Sequence, residues 1–243
     1  MNTEFKTIKD KLEQREMELL SPYATKCLNT KGRKRKREEQ FEIRTEFQRD
    51  RDKILHSKSF RRLKHKTQVF LSPFNDHFRT RLTHTLEVAQ IGRTMARALN
   101  LNEDLVEAIA LGHDLGHTAF GHCGEGTLDE LLPTGFHHNL QSVRVVEVLE
   151  DMNLCKETVD GILTHTWGYK PKTPEAQIVQ YADKIAYINH DIEDSVRAGI
   201  IAEDDLPPDC IKYFTSNQSV RLGKMITDVI TSSMDKPKVT MSE

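Results

Sequence analysis

The chain has 243 residues, of which 37% are hydrophobic and 30% charged, so it is long enough for one domain with a sizeable core. Only 7% are aromatic, a composition that favours helices with solvated outer faces over a β-sandwich. No stretch approaches the ~20 apolar residues of a membrane span, and the charged residues 1–20 lack a signal-peptide core. Four cysteines are scattered without CxxC spacing, which argues against a disulfide framework or a thiolate metal site. We therefore expect a cytoplasmic protein without a membrane partner.

Basic side chains are concentrated in residues 31–66. Fifteen Lys/Arg stand against six Asp/Glu there, a local charge of +9 in a chain whose formal net charge is −2. The heptad at 31–37 is typical of a nucleic-acid-binding arm, of a nuclear localisation signal or of a solvated loop, and loops are the commonest of these. Because no aromatic residue interrupts the heptad, base stacking has no support there. Contact with single-stranded nucleic acid stays open as a second interpretation.

After a predicted loop at residues 71–76, apolar residues recur at helical spacing. His84, Val88, Ile91, Met95 and Ala98 would share one face of a helix, so His84 is predicted to point inward. An inward polar side chain needs a partner.

A second helix is predicted to end in a histidine-rich turn. Asn102 is a suitable N-cap, and Leu105, Ile109 and His113 share a face. Residues 111–122 then contain three histidines and an aspartate, with glycines that allow the backbone to turn. This stretch is interpreted as a helix end that opens into a site.

A third helix is predicted from Thr173 as N-cap and Pro174 at the first position, with an end near Gly199. Its apolar repeat places Asp183 beside the buried face, where an unpaired carboxylate would cost on the order of several kcal/mol. A salt bridge from a neighbouring helix is one explanation for this residue. The other is a metal site with the ligands His84, His113, Asp114 and Asp183. Such a mixed imidazole and carboxylate set suits Mn, Fe, Zn or Mg.

The order of His84, His113, Asp114 and Asp183 resembles that of the HD-domain metal-dependent phosphohydrolases. The neighbouring motifs are more specific and are similar to those of the bacterial deoxyguanosinetriphosphate triphosphohydrolase-like proteins; they occupy residues 44–57, 60–63, 66–70, 112–117, 120–122 and 181–187. The likeness runs from about residue 20 to about residue 199. It implies an all-α HD-domain helical bundle, a single domain over 1–243, a divalent metal (Mn, Mg, Fe or Co) and a homo-oligomer. Because members of the family usually continue into further helices, we expect a C-terminus shorter than theirs.

The same resemblance implies roles for further residues. It places the catalytic groups at His117, His122, Glu125 and His138, with His122 and Glu125 as the acid–base pair. It places Gln68 and Arg81 near the sugar and phosphates, Tyr187 against the sugar and Asp191 on the 3′-hydroxyl. Lys184, which follows Asp183, is a candidate to neutralise a polyphosphate. His165 is interpreted as structural, and Trp167 as part of the pocket frame.

The implied activity is hydrolysis of a deoxynucleoside triphosphate (dNTP) to deoxynucleoside and inorganic triphosphate, with a dNTP activator as a further candidate partner. Two alternatives stay open. One is another HD-type hydrolase that acts on a nucleoside monophosphate or a phosphodiester. The other is a non-catalytic nucleic-acid-binding regulator that uses the basic heptad.

Overall fold

The computed structural model describes residues 7–36, 42–69 and 78–242. Within these ranges it contains eleven α-helices and no β-strand, which confirms the all-α prediction. The helices are α1 (Ile8–Leu19), α2 (Glu46–Leu55), α3 (Lys58–Arg62), α4 (Arg81–Ala98), α5 (Glu103–Gly112), α6 (Gly121–Leu131), α7 (His138–Arg144), α8 (Lys156–Thr164), α9 (Pro174–Arg197), α10 (Pro208–Phe214) and α11 (Gln218–Ser233). No helix in the described ranges is both long and apolar enough to cross a membrane. Arg37, Phe70 and the loop predicted at 71–76 lie outside the described residues.

The predicted helix ends are observed where local chemistry specifies them. The Asn102 side chain accepts a hydrogen bond from the Leu105 N–H at 3.2 Å and caps α5. Thr173 accepts one from the Ala176 N–H at 3.2 Å and caps α9. Beyond the other end of α9, Gly199 has φ +69°, the left-handed conformation that glycine adopts easily.

The core lies where α4, α5 and α9 pack against one another, and α2 and α8 cover α5. Its largest fully buried apolar side chains include Met95, Leu105, Ile109 and Ile178. The helices α4 and α5 approach closely at Gly92, where an added Cβ would lie 2.8 Å from Val106 Cγ1. This packing turns the inward faces of the three helices toward one point.

Two further element boundaries follow local backbone chemistry. The prolines at 207 and 208 do not exclude a helix, because Pro208 begins α10. Proline is compatible with the first helical position because the N–H it lacks has no intrahelical partner there. The helix α7 ends at Arg144, and a single π turn, Val145–Leu149, continues it.

The described part of the basic segment is packed against the helical body. The buried Arg33 guanidinium pairs with Asp50 and with Glu46, whose Oε2 lies 2.8 Å from Nε. Its neighbours Lys34 and Arg35 pair at 2.8 and 2.7 Å with the carboxylates of Glu147 and Asp151. Three cations of the heptad are thus already matched by acidic groups of the same chain.

Candidate active site

Four side chains from three helices converge at the core. His84 lies in the first turn of α4, His113 and Asp114 follow directly after α5, and Asp183 lies inside α9. His84 Nε2 is 3.0 Å from Asp183 Oδ1, and His113 Nε2 is 3.7 Å from the same oxygen. Asp114 Oδ1 completes the group at 3.3 Å from His113 Nε2. The residues proposed as metal ligands from the sequence are therefore adjacent in space.

The protonation of His113 fits metal binding. Its Nδ1 lies 2.6 Å from the Ala110 carbonyl oxygen. Since a carbonyl only accepts, Nδ1 carries a proton, so in the neutral imidazole Nε2 is the nitrogen with a lone pair for a metal ion. Nε2 is buried and finds no hydrogen-bond partner in the described parts of the chain. One donor atom each from His84, His113 and Asp183 lies within 4.8 Å of the others, a spacing that could hold a metal ion.

The electrostatics of the cluster keep its ligand atoms in the form that binds a cation. Burial raises the pKa of Asp114, but the neighbouring His113 and Arg81 outweigh it and hold the pKa well below the ordinary range. Burial also opposes ionisation of Asp183, and the contacts with His84 and His113 outweigh it, so the Asp183 pKa is lowered. Burial lowers the pKa of His84 and favours its neutral imidazole. Neutral imidazoles and ionised carboxylates are the species that bind hard or borderline divalent ions.

Arg81 brings a buried positive charge to this group. Its Nη1 donates to Asp114 Oδ2 at 2.6 Å, and the residue is only 1% exposed. Nε and Nη2 are buried as well, and neither has a partner among the residues that the structure describes. A buried guanidinium with unmatched donors is costly, so this geometry calls for an anionic acceptor.

A second group of polar side chains is centred on α6. His122 Nδ1 donates to Glu125 Oε2 at 3.2 Å, and His138 Nδ1 donates to Glu125 Oε1 at 2.8 Å. The hydrogen bond to Glu125 raises the pKa of His122. Burial raises the pKa of Glu125, but the hydrogen bonds from both histidines outweigh it and lower that pKa. The His117 ring stacks on that of His138 with 3.9 Å between centroids, and burial lowers the pKa of His117.

A cavity of about 370 Å³ joins the two groups. Most of the site residues predicted from the sequence line it: Gln68, Arg81, His84, Asp114, His117, His122, His138, Asp183, Tyr187 and Asp191. Two further predicted site residues do not line the cavity but contact residues that do. Glu125 accepts a hydrogen bond from His138, and His113 lies beside Asp114.

Comparison with known proteins places the chain in a family. Residues 81–188 match the HD domain family. A deoxyguanosinetriphosphate triphosphohydrolase-like protein of Caldanaerobacter subterraneus subsp. tengcongensis is 59% identical over 97% of this chain and 70% of its own length. A protein of the same name from Clostridium tetani is 51% identical over 98% of this chain and 71% of its own.

The chain belongs to the deoxyguanosinetriphosphate triphosphohydrolase-like family of HD-domain hydrolases. A structural comparison agrees with the fold. A hypothetical protein from Aquifex aeolicus superposes with a TM-score of 0.51 at 23% sequence identity. The match covers 80% of this chain and 50% of that one, so this chain spans half the length of the solved structure.

Lys184 lies apart from the other predicted site residues of this HD-domain hydrolase. Its Nζ stands 4.9 Å from the centroid of the Trp167 ring, a cation–π contact. Trp167 itself lines the cavity, whereas Lys184 is absent from the lining. Lys184 therefore contacts a residue of the cavity wall, Trp167, without lining the cavity itself.

Three residues that the sequence did not single out as functional also contact the site. His165 is buried, with Nε2 3.0 Å from His138 Nε2, and burial lowers its pKa to about 3. His190 packs against His84, with 5.0 Å between ring centroids, and Glu87 contacts His190. His190 follows Asp183 by seven residues in α9 and so shares a face with it, but no spacing rule connects it with Glu87 on another helix.

Proposed function

We propose that this chain hydrolyses a dNTP to the 2′-deoxynucleoside and inorganic triphosphate. The observation that carries the proposal is the buried Arg81, which has two unmatched nitrogens and lines a cavity together with the proposed metal ligands His84, Asp114 and Asp183. A phosphate oxygen is the planar, anionic acceptor that a guanidinium binds best. The names of the similar proteins support a deoxynucleoside triphosphate as the source of that phosphate.

In this proposal, His84, His113, Asp114 and Asp183 hold a divalent ion. Once bound, such an ion would polarise the α-phosphoryl group and acidify a water molecule. Arg81 binds an α-phosphate oxygen and offsets the charge that develops as the water attacks phosphorus. His117, whose buried Nδ1 lacks a partner within the described ranges, lines the same part of the cavity as Arg81 and Asp114.

The proton for the leaving group comes from His122. Attack at the α-phosphorus breaks its bond to the sugar O5′, and this oxygen needs a proton as it leaves. The ionised Glu125 keeps His122 protonated through their 3.2 Å contact. His138 Nδ1 donates a second hydrogen bond to Glu125, at 2.8 Å, and helps to hold this carboxylate in place. This arrangement is the one that general-acid catalysis requires.

The sugar is assigned to the α9 side of the cavity. Tyr187 and Asp191 follow Asp183 at successive turns of α9, and all three line the cavity. The Tyr187 ring would leave no room for a 2′-hydroxyl, while Asp191 would accept a hydrogen bond from the 3′-hydroxyl. Gln68, whose buried Oε1 is unpartnered within the described residues, would contact the sugar or the α-phosphate.

The test is product analysis with the purified chain. Each dNTP, with the matching ribonucleotide as control, is incubated with Mn²⁺ or Mg²⁺, and triphosphate is separated from pyrophosphate and phosphate. We expect triphosphate from the deoxynucleotides only, and none from the His113→Ala variant. Pyrophosphate or monophosphate as the product would contradict the proposal and favour another HD-type hydrolase. Tyr187→Ala is expected to admit ribonucleotides.

A further inference from the structure

A buried histidine connects the metal-ligand cluster to a carboxylate on the outer part of α4. His190 of α9 is 1% exposed, and its Nε2 lies 3.3 Å from His84 Nδ1. Its other ring nitrogen, Nδ1, is buried and lies 2.9 Å from Glu87 Oε2, an electrostatic contact whose angle is outside the range of a hydrogen bond, and it has no hydrogen-bond partner among the described residues. Glu87 is three residues after His84 in α4, so both contacts reach His190 from one helix face.

If His84 binds a metal ion through Nε2, each imidazole in the series His84–His190–Glu87 must carry its proton on a particular ring nitrogen. His84 Nε2 faces the cluster, 3.0 Å from Asp183 Oδ1, and must offer a lone pair to bind a metal ion. Its proton then resides on Nδ1 and is donated to His190 Nε2. His190 must in turn carry its proton on Nδ1, beside the Glu87 carboxylate. The nearby carboxylate thus favours the His190 tautomer whose Nε2 is free to accept from His84.

We propose that Glu87 and His190 are positioning residues that orient His84 for metal binding. The inference rests on the metal centre of the proposed function and extends it to residues that do not touch the ion. His113 offers an internal comparison, because its Nδ1 is held by a backbone carbonyl at 2.6 Å. A backbone acceptor needs no further support, whereas the acceptor of His84 is a side chain whose own proton must be placed.

The carboxylate of Glu87 is itself held in position. Arg79 donates from Nε to Glu87 Oε1 at 3.1 Å, which leaves Oε2 for His190. The same guanidinium binds Asp194 at 2.8 Å and Glu193 at 2.5 Å, so it connects the start of α4 with the last turns of α9. Burial raises the pKa of Glu87, but the His190 and Arg79 contacts outweigh it and lower the pKa, so the carboxylate stays ionised.

The experiment measures Mn²⁺ affinity directly, by electron paramagnetic resonance of free Mn²⁺ during titration of the full chain. His190→Ala removes the direct hydrogen-bond partner of His84 and is expected to weaken affinity by roughly 10-fold to 100-fold, and Glu87→Ala, which acts through His190, should approach that loss. Glu87→Gln keeps an acceptor oxygen and should lose less. The double variant should lose no more than His190→Ala alone, because the two residues act in series.

The matched control is Glu193→Ala. It removes another carboxylate from Arg79 at the same helix junction but leaves the Glu87–His190 contact in place. Wild-type affinity is expected for this variant, and excess Mn²⁺ should restore triphosphate release by Glu87→Ala. Unchanged affinity in a folded Glu87→Ala chain, or an equal loss in Glu193→Ala, would overturn the positioning role alone. A wild-type chain that binds no Mn²⁺ would overturn the proposed metal centre together with it.

Discussion

The two halves of the candidate site are built very differently. The metal-ligand half is carried by α4, α5 and α9, and its His84, His113 and Asp114 are at most 2% exposed. The acid–base half depends on α6, in which Gly121 is the only buried residue, and the His122 side chain is 72% exposed. One half is part of the core, and the other is attached at its edge.

Because of this difference, substitutions in the two halves should have different effects on folding stability and on catalytic activity. Buried charged groups depend on their partners, so changes in the metal-ligand half should alter folding and activity together. Exposed side chains contribute little to folding, so changes at His122 should alter activity alone. An activity loss in the first half therefore needs a stability measurement beside it, whereas at His122 we expect no change in stability to accompany the loss of activity.

The largest effect is expected for Asp114→Ala. It removes a proposed metal ligand and leaves Arg81 buried without its 2.6 Å partner. Activity should be abolished, and the free energy of unfolding should fall by about 3–5 kcal/mol. Urea denaturation followed by circular dichroism measures the second quantity. Asp209→Ala, at an exposed position, is the control, and equal stability of both variants would contradict the comparison.

Next comes His122→Ala, which should reduce turnover by roughly 10²-fold to 10⁴-fold through loss of the general acid. Because the side chain is largely exposed, the unfolding free energy should change by less than about 0.5 kcal/mol. Steady-state triphosphate release and thermal unfolding give the two numbers. His137→Ala, at the neighbouring exposed histidine, should retain activity. A folded His122→Ala chain with full turnover would assign the proton donor elsewhere.

A smaller effect, on folding stability, is expected from substitutions where the two halves of the site meet. A Cβ at Gly116 would lie 2.2 Å from Ser142 N and 2.4 Å from His138 O, both backbone atoms. Gly116→Ala should therefore destabilise the fold by about 1–3 kcal/mol and displace His138. At Gly126 in α6 an added Cβ meets nothing within 4 Å, so Gly126→Ala should stabilise by up to about 1 kcal/mol. Calorimetric melting of the two variants checks the opposite signs.

The smallest expected effect is a shift in the pH dependence of kcat/KM. The hydrogen bond to Glu125 raises the His122 pKa above its ordinary 6.5. Because the protonated form is the proposed acid, kcat/KM should be highest below this pKa and fall as the pH rises through it. Glu125→Gln should move that fall to lower pH. An alkaline limb at the same pH in both chains would show that another group controls it.

Much of the metal-ligand half was predictable because it follows from helix periodicity. His84 and His113 repeat in register with buried apolar residues, and Asn102 and Thr173 mark helix starts through local hydrogen bonds. The acid–base half was assigned by resemblance, since only the i, i+3 spacing of His122 and Glu125 can be read locally. That spacing does produce the 3.2 Å contact.

The sequence by itself determined the helical fold, the principal helix ends and the inward placement of the predicted metal ligands. These properties depend on residues within a few positions of one another, so local physics specifies them. Only the tertiary structure decided that Arg81 pairs with Asp114, that Lys184 stands over Trp167 and that Glu87 reaches His84 through His190. Each of these contacts joins separate segments of the chain, and no local spacing encodes which segments meet.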